Sequence, residues 1–122
     1  MDDAMWRFEA FRRAYRLSLT LHRASLEWPK VEQHGGIADQ VRRASKSVCA
    51  LLVEGNGRRQ RSAAEYARYL TMAIGSAEEA RLWCCYAADL DYVPLAMSQQ
   101  WQQEFAEIAR MLQAVRNNLS LS

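Results

Sequence analysis

Three stretches of this chain space their apolar residues alternately four and three positions apart, a pattern that an α-helix turns into one continuous stripe. The first holds Ile37, Val41, Ala44, Val48 and Leu51; the second Tyr66, Leu70, Ala73, Ala77, Ala80, Cys84 and Ala87. The third holds Trp101, Phe105, Ile108, Leu112, Val115 and Leu119, and an earlier row comprises Phe8, Phe11, Tyr15 and Leu19. No strand pattern competes with them. Four amphipathic helices joined by short connections predict an all-α, antiparallel, up-down-up-down four-helix bundle whose rows mesh at a shallow crossing angle.

The stop signals divide the chain at the same places. The first helix is expected to open at Asp2 or Asp3, which complement the positive end of the helix dipole, and to run to about Ser25. Trp28-Pro29 ends it, because proline lacks the N–H that a continuing helix needs and disfavours helix in the residue before it. A linker with Gly35-Gly36 follows, and the second helix is expected to close at Glu54-Gly55-Asn56-Gly57, whose glycines can supply a left-handed turn. Ser62-Ala63-Ala64-Glu65 is a capping box that opens a third helix extending to about Leu90. Asp91 to Pro94 breaks the pattern, and a last helix starts near Ser98. No low-complexity segment or long interior linker splits residues 1–122, so a single domain is expected.

Two prolines and five glycines in 122 residues are few for a loop-rich fold, and a domain of this length needs no disulfide or metal to fold. No apolar run reaches the roughly 18–20 residues of a membrane span, and Met1 to Phe11 lacks the pattern of a secretory leader, which predicts a cytosolic protein. Three cysteines without a CxxC pair fit reduced, buried thiols.

The third helix carries more apolar surface than one stripe needs. At about 100° per residue from Tyr66, Met72, Trp83, Tyr86 and Leu90 lie a right angle or more away from Tyr66, Leu70 and Ile74. Arg68, Glu79 and Asp89 interrupt this second face, as in a partly polar interface. It predicts a homo-oligomer, against the simpler reading of a deeply buried helix.

Catalytic chemistry has little to work with. Only His22 and His34 are present, so there is no Glu-x-x-His pair for a di-iron centre and no HExxH for zinc. His22 reads as a dipole-complementing surface group and His34 as a loop residue. Ser45 and Ser47 lack any context of a nucleophile, and Gly55-Asn56-Gly57-Arg58 has neither the spacing of a P-loop nor a preceding strand. An enzyme using Cys84 or Cys85 would have only the thiols in its favour. The expectation is a non-catalytic protein with no cofactor and no metal.

Charge distribution points elsewhere. The net charge is only +2, but Arg42, Arg43, Lys46, Arg58, Arg59, Arg61 and Arg68 face only Glu54 and Glu65 in the middle of the chain, whereas Glu78 to Glu107 holds six acids against Arg81. Arg42, Arg43 and Lys46 on the second helix and Arg58, Arg59 and Arg61 after it form a candidate phosphate-binding group, since such clusters hold nucleic acid through counterion release. The competing reading is a solvated face, or arginines paired with acids of this subunit or its neighbour.

Arg42-Arg43-Ala44 through Ser47-Val48, Glu54-Gly55-Asn56-Gly57-Arg58, and Gly75-Ser76 with Glu79 together resemble the bacterial four-helix bundle proteins called 23S rRNA intervening-sequence proteins. These are related to the accessory proteins of diversity-generating retroelements. Phe8-Glu9, Pro29 and Gln40 extend the resemblance over nearly the whole chain. It implies cytosolic four-helix bundles assembled into five-membered rings, and in the retroelement relatives a basic ring surface that binds RNA and a reverse transcriptase. By the same match Arg42, Arg43, Glu54, Gly55, Gly57 and Arg58 are motif positions, with Glu54 expected to pair with a motif arginine and lock the corner between helices two and three. The chain departs from that pattern at Leu51, where the family usually has Asn, and at Val53, usually Ala. Fold does not settle function. The leading expectation is a non-catalytic, pentameric scaffold that binds structured RNA through the six basic residues. The alternative is a protein-interaction scaffold whose arginines are used in intersubunit salt bridges.

Overall fold

The computed structural model describes residues 3–119 and is helical throughout, with no strand among them. A short helix α1 (Asp3–Arg7) leads into four long ones, α2 (Glu9–Ser25), α3 (Ile37–Arg58), α4 (Ala63–Asp89) and α5 (Leu95–Asn117). Consecutive long helices pack on each other, and α2 also packs on α5, which closes the bundle. The largest fully buried side chains, among them Phe11, Leu21, Val41, Val48, Leu52, Leu70, Phe105, Ile108 and Leu112, come from all four and form the core between them. No helix is long and apolar enough to cross a membrane among the described residues.

The expected first helix is interrupted. Phe8 has extended backbone (φ −79°, ψ 108°) and serves as the N-cap of α2, separating it from α1. Trp6 folds back so that its ring meets those of Phe11 and Tyr15 edge-on, each 5.1 Å away, and Arg12 donates a 2.7 Å hydrogen bond to the Trp6 carbonyl. Neither proline nor glycine marks this break; the aromatic contacts hold it. The Asp3 expected as a cap lies inside α1, and Asp2 falls outside the described residues. The buried row of α2 also differs from the expected one. Ala10, Ala14, Leu17 and Leu21 face the core with Phe11, whereas Tyr15 is exposed and Leu19 half-buried, because small residues allow a closer helix approach than the ring of Tyr15 would.

Between α2 and α3 a 3-10 turn (Lys30–Glu32) follows Pro29. Its Glu32 carboxylate accepts the Ile37 N–H at 3.0 Å, satisfying a free donor at the start of α3, and accepts the Tyr92 hydroxyl at 2.7 Å. A β-carbon on Gly36 would meet the Glu32 Cα at 2.5 Å, so only glycine lets the chain enter α3 this close to the turn.

Helix α3 runs on through Gly55 and Gly57 to Arg58 rather than stopping at them. Gly55 is buried against α4, and its role is close helix approach instead of a left-handed turn. The final turns shift the buried row by one position, so that Leu52 is fully in the core and Leu51 packs against its edge.

Helix α4 opens with half of the expected capping box: Ser62 Oγ accepts the Glu65 N–H at 3.1 Å, but the Ser62 N–H goes to Arg58 O at 3.0 Å and the Glu65 carboxylate turns to Arg58. Its buried residues include every member of the expected row. Four alanines in that row, Ala73, Ala77, Ala80 and Ala87, let both α3 and α5 lie against it. Its C-terminus is closed by Tyr92 N–H to Ala87 O at 2.8 Å and Asp91 N–H to Ala88 O at 3.0 Å, with Asp91 left-handed (φ 63°). Helix α5 begins at Leu95, a turn earlier than Ser98, and the buried Ser98 hydroxyl reaches across to the Cys84 carbonyl at 2.7 Å.

Candidate nucleic-acid interface

The six basic residues singled out in the sequence fall into two separate groups. Arg42, Arg43 and Lys46 lie near the start of α3, and Arg58, Arg59 and Arg61 at its end, about 22 Å further along the axis at 1.5 Å per residue. The helix that continues through Gly55 and Gly57 is what keeps them apart, so they do not converge as the turn reading implied.

In the first group, Arg42 is turned into the protein. Its guanidinium donates to Ser25 Oγ (2.8 Å), Gln33 O (3.2 Å) and Gln33 Oε1 (3.1 Å). The Gln33 amide in turn donates to the Ser25 and Trp28 carbonyls at 2.8 and 2.9 Å, completing the C-terminus of α2. Arg42 therefore ties α3 to the α2 connection, with three of its donors consumed. Arg43 is 73% exposed and pairs with Asp39 at 3.0 Å, one turn earlier. The Asp39 carboxylate is held below its ordinary range by the Gly35 N–H and then by Arg43. Lys46 Nζ lies 2.8 Å from His22 Nδ1, and its charge, with the smaller effect of desolvation, lowers the His22 pKa. His22 is thus neighbour to a cation, and it favours the neutral form over the dipole-complementing cation expected from its position.

At the other end, Arg58 pairs with Glu65 of α4 at 3.2 Å and lies over the Tyr69 ring, 4.8 Å from its centroid. The expected Glu54 partnership is not formed; Arg58 takes only the Glu54 backbone carbonyl, at 3.4 Å. The corner between α3 and α4 is locked by Glu65, whose position one turn into α4 faces back across it. Arg59 covers the Tyr66 ring at 5.5 Å, and Arg61 is exposed in the turn. A cleft of about 310 Å³ opens beside them, lined by Arg7, Arg59 and Asn56 together with Met5, Phe8, Leu52, Tyr66 and Val115. An adjoining groove adds Gly57, Gln60 and Arg61. Arg7 was not visible as a member of this group because only the fold-back of α1 brings it beside residues some 50 positions later. Arg68 on α4 and Arg116 on α5 belong to the same end of the bundle, Arg116 donating to Thr71 Oγ1 at 3.2 Å.

The remaining motif residues hold helices together or lie on the surface. Ser76 shares a 3.1 Å hydrogen bond with Ser47 across α3 and α4, and Glu79 accepts the Trp83 indole N–H at 3.2 Å. Gly75 is exposed midway along α4, with open space where its β-carbon would be. Of the expected oligomer residues, Tyr86 and Leu90 are each 47% exposed, while Met72 and Trp83 are half-buried and Trp83 packs on the core edge. Leu82 belongs with Tyr86 and Leu90, one turn apart, and is equally exposed. Its position about 160° from Tyr66 was already legible from helical spacing. Leu51 fills the place of the family's usual Asn with an apolar contact, and Val53 is exposed.

Cys84 is fully buried, and desolvation pushes its thiol up to about 12; burial likewise raises Cys49 to about 11. A nucleophilic thiol needs the opposite shift. Among the described residues no group of three or more His, Cys, Asp or Glu side chains is placed to hold a metal ion.

The bundle is similar to the crystal structure of a protein of unknown function from the S23 ribosomal protein family of Bacteroides thetaiotaomicron. The two are 15% identical with a TM-score of 0.78, over 89% of this chain and 99% of that one, a likeness of fold. No curated protein matches the sequence significantly. The sequence profile of the 23S rRNA-intervening sequence proteins matches residues 7–114, nearly the full extent of the bundle, and the chain belongs to that family.

Proposed function

We propose that this protein is a non-catalytic helical-bundle scaffold of the cytosol that assembles with copies of itself, as a ring of five, and binds structured RNA through its basic end. The observation that carries the RNA reading is the convergence of Arg7, Arg59 and Arg61 on one end of the bundle, around a cleft and its adjoining groove. Among the described residues Arg61 makes no ion pair, and Arg59 is held by an aromatic face, which leaves the N–H groups at its edge available to phosphate oxygens. Arg42 is not part of this surface, and Arg43 and Lys46 form a smaller basic patch at the far end.

Self-association is supported by the outer face of α4. Leu82, Tyr86 and Leu90 form an exposed apolar row in line with Gly75, where a helix without a β-carbon admits a close neighbour. A reverse transcriptase or another protein is the alternative partner for the same scaffold, and the ion pairs Arg43–Asp39 and Arg58–Glu65 favour that reading, since they occupy arginines otherwise free for phosphate.

Titration of a structured RNA across a series of salt concentrations separates the two. For the RNA scaffold, affinity falls steeply with salt, and replacing Arg59 and Arg61 together by Ala lowers the slope of log K against log salt by about 2. Weak, salt-insensitive binding would leave the protein-scaffold reading.

A further inference from the structure

We propose that the cleft at the basic end is a pocket for one unpaired RNA base, with the phosphates on either side of it held by Arg7, Arg59 and Arg61. This rests on the RNA-binding reading and states what that surface recognises.

The cleft differs from a flat basic patch. Its volume of about 310 Å³ lies at the lower end of the range in which small ligands bind, about 300–1,000 Å³. Its floor is apolar and partly aromatic, from Phe8, Leu52 and Tyr66, while cations stand at the rim. A paired duplex presents mainly phosphates and ribose to a protein and has no use for an apolar floor. A base splayed from a bulge or loop has a flat apolar face and needs an aromatic ring or guanidinium plane to stack on. Arg59 offers such a plane, already laid over the Tyr66 ring at 5.5 Å.

Asn56 supplies the polar complement. It lines both the cleft and the groove that leads to Arg61, and its amide carries a donor and an acceptor suited to the edge of a base. The continuous helix through Gly55 and Gly57 is what projects Asn56 and Arg59 from adjoining turns toward the same opening. An apolar floor, an amide and flanking guanidinium groups match a nucleotide in shape and in charge.

The test uses two hairpin RNAs of equal length, one fully paired and one with a single-nucleotide bulge carrying 2-aminopurine. The full-length protein is expected to bind the bulged RNA about tenfold more tightly, as stacking of one base provides, with a change in 2-aminopurine emission on binding. Asn56→Trp, which fills the cleft, is expected to remove that preference, so that the bulged and the paired RNA bind alike, with helical circular dichroism checking the fold. If the wild-type protein binds both RNAs equally with a steep salt slope and unchanged emission, the base pocket is overturned while the RNA reading stands. If neither RNA binds with salt-dependent affinity, both fall.

Discussion

Gly55 of α3 lies so close to Tyr69 of α4 that a β-carbon on it would come within 2.8 Å of the Tyr69 Cβ. The neighbouring atom sits at the root of its side chain, so only a shift of one helix could relieve the clash. Gly57, two residues on, faces open space. Gly55→Ala is therefore expected to destabilise the fold by about 1–2 kcal/mol, overpacking outweighing the gain in helix propensity. Gly57→Ala is expected to be neutral or stabilising by up to about 1 kcal/mol. Urea denaturation of the two variants checks the contrast, and equal midpoints would contradict it.

Arg42 separates structure from binding. Arg42→Ala removes the charged donor from Ser25 and Gln33 and is expected to cost about 1.5–3 kcal/mol of stability. Arg42→Lys should recover little of it, because an ammonium does not reproduce the planar fork that reaches these acceptors. RNA affinity per folded molecule should stay at the wild-type value in both. A large loss of affinity in a folded Arg42→Ala protein would return this residue to the binding surface.

The outer face of α4 is tested through its mass in solution. Tyr86→Glu places a charge in the exposed apolar row and is expected to give a monomer by light scattering with an unchanged circular dichroism spectrum. Gly75→Ala is expected to raise the stability of the dissociated chain by about 1 kcal/mol through helix propensity while weakening assembly. A wild-type protein already monomeric at micromolar concentration would remove the basis for both.

Acid sensitivity should include a contribution from His22. Its folded pKa lies below the ordinary 6.5 because of Lys46, so below that pH the unfolded chain takes up the proton more readily than the folded one. Stability from this source is present in full above pH 6.5 and is lost as pH falls through the depressed folded value. His22→Gln is expected to flatten the stability profile between pH 7 and 5. A profile unchanged by the substitution would show that Lys46 swings away and leaves the imidazole unperturbed.

Much of the bundle was legible from spacing alone. The rows of α4 and α5 were read nearly residue by residue because a sustained 4-3 alternation can satisfy no other element. The break at Phe8 was not, since it follows from Trp6 packing onto Phe11 and Tyr15 instead of from any local breaker. Gly55 misled because glycine marks both left-handed turns and close packing, and only the presence of Tyr69 decides between them. The candidate site was less legible still. Arg42 and Arg59 look alike in sequence, and one is consumed by Ser25 and Gln33 while the other opens onto a cleft completed by Arg7. The Glu65 carboxylate was read as half of a cap and instead faces Arg58, only its backbone N–H joining Ser62.

The Glu32 carboxylate, shared between the Ile37 N–H and the Tyr92 hydroxyl, joins two connections that are 60 residues apart. It acts as a latch, so that neither the α2–α3 loop nor the α4–α5 loop can open alone. At the opposite end the corner is crossed by the partly exposed Arg58–Glu65 pair, an interaction of small net worth in water, and by arginines resting on the Tyr69 and Tyr66 rings. The molecule thus has a fastened end and a compliant one. Amide hydrogen exchange should be slower around Ile37 and Tyr92 than around Arg59 and Arg61, and conformational give would be concentrated where the basic residues lie.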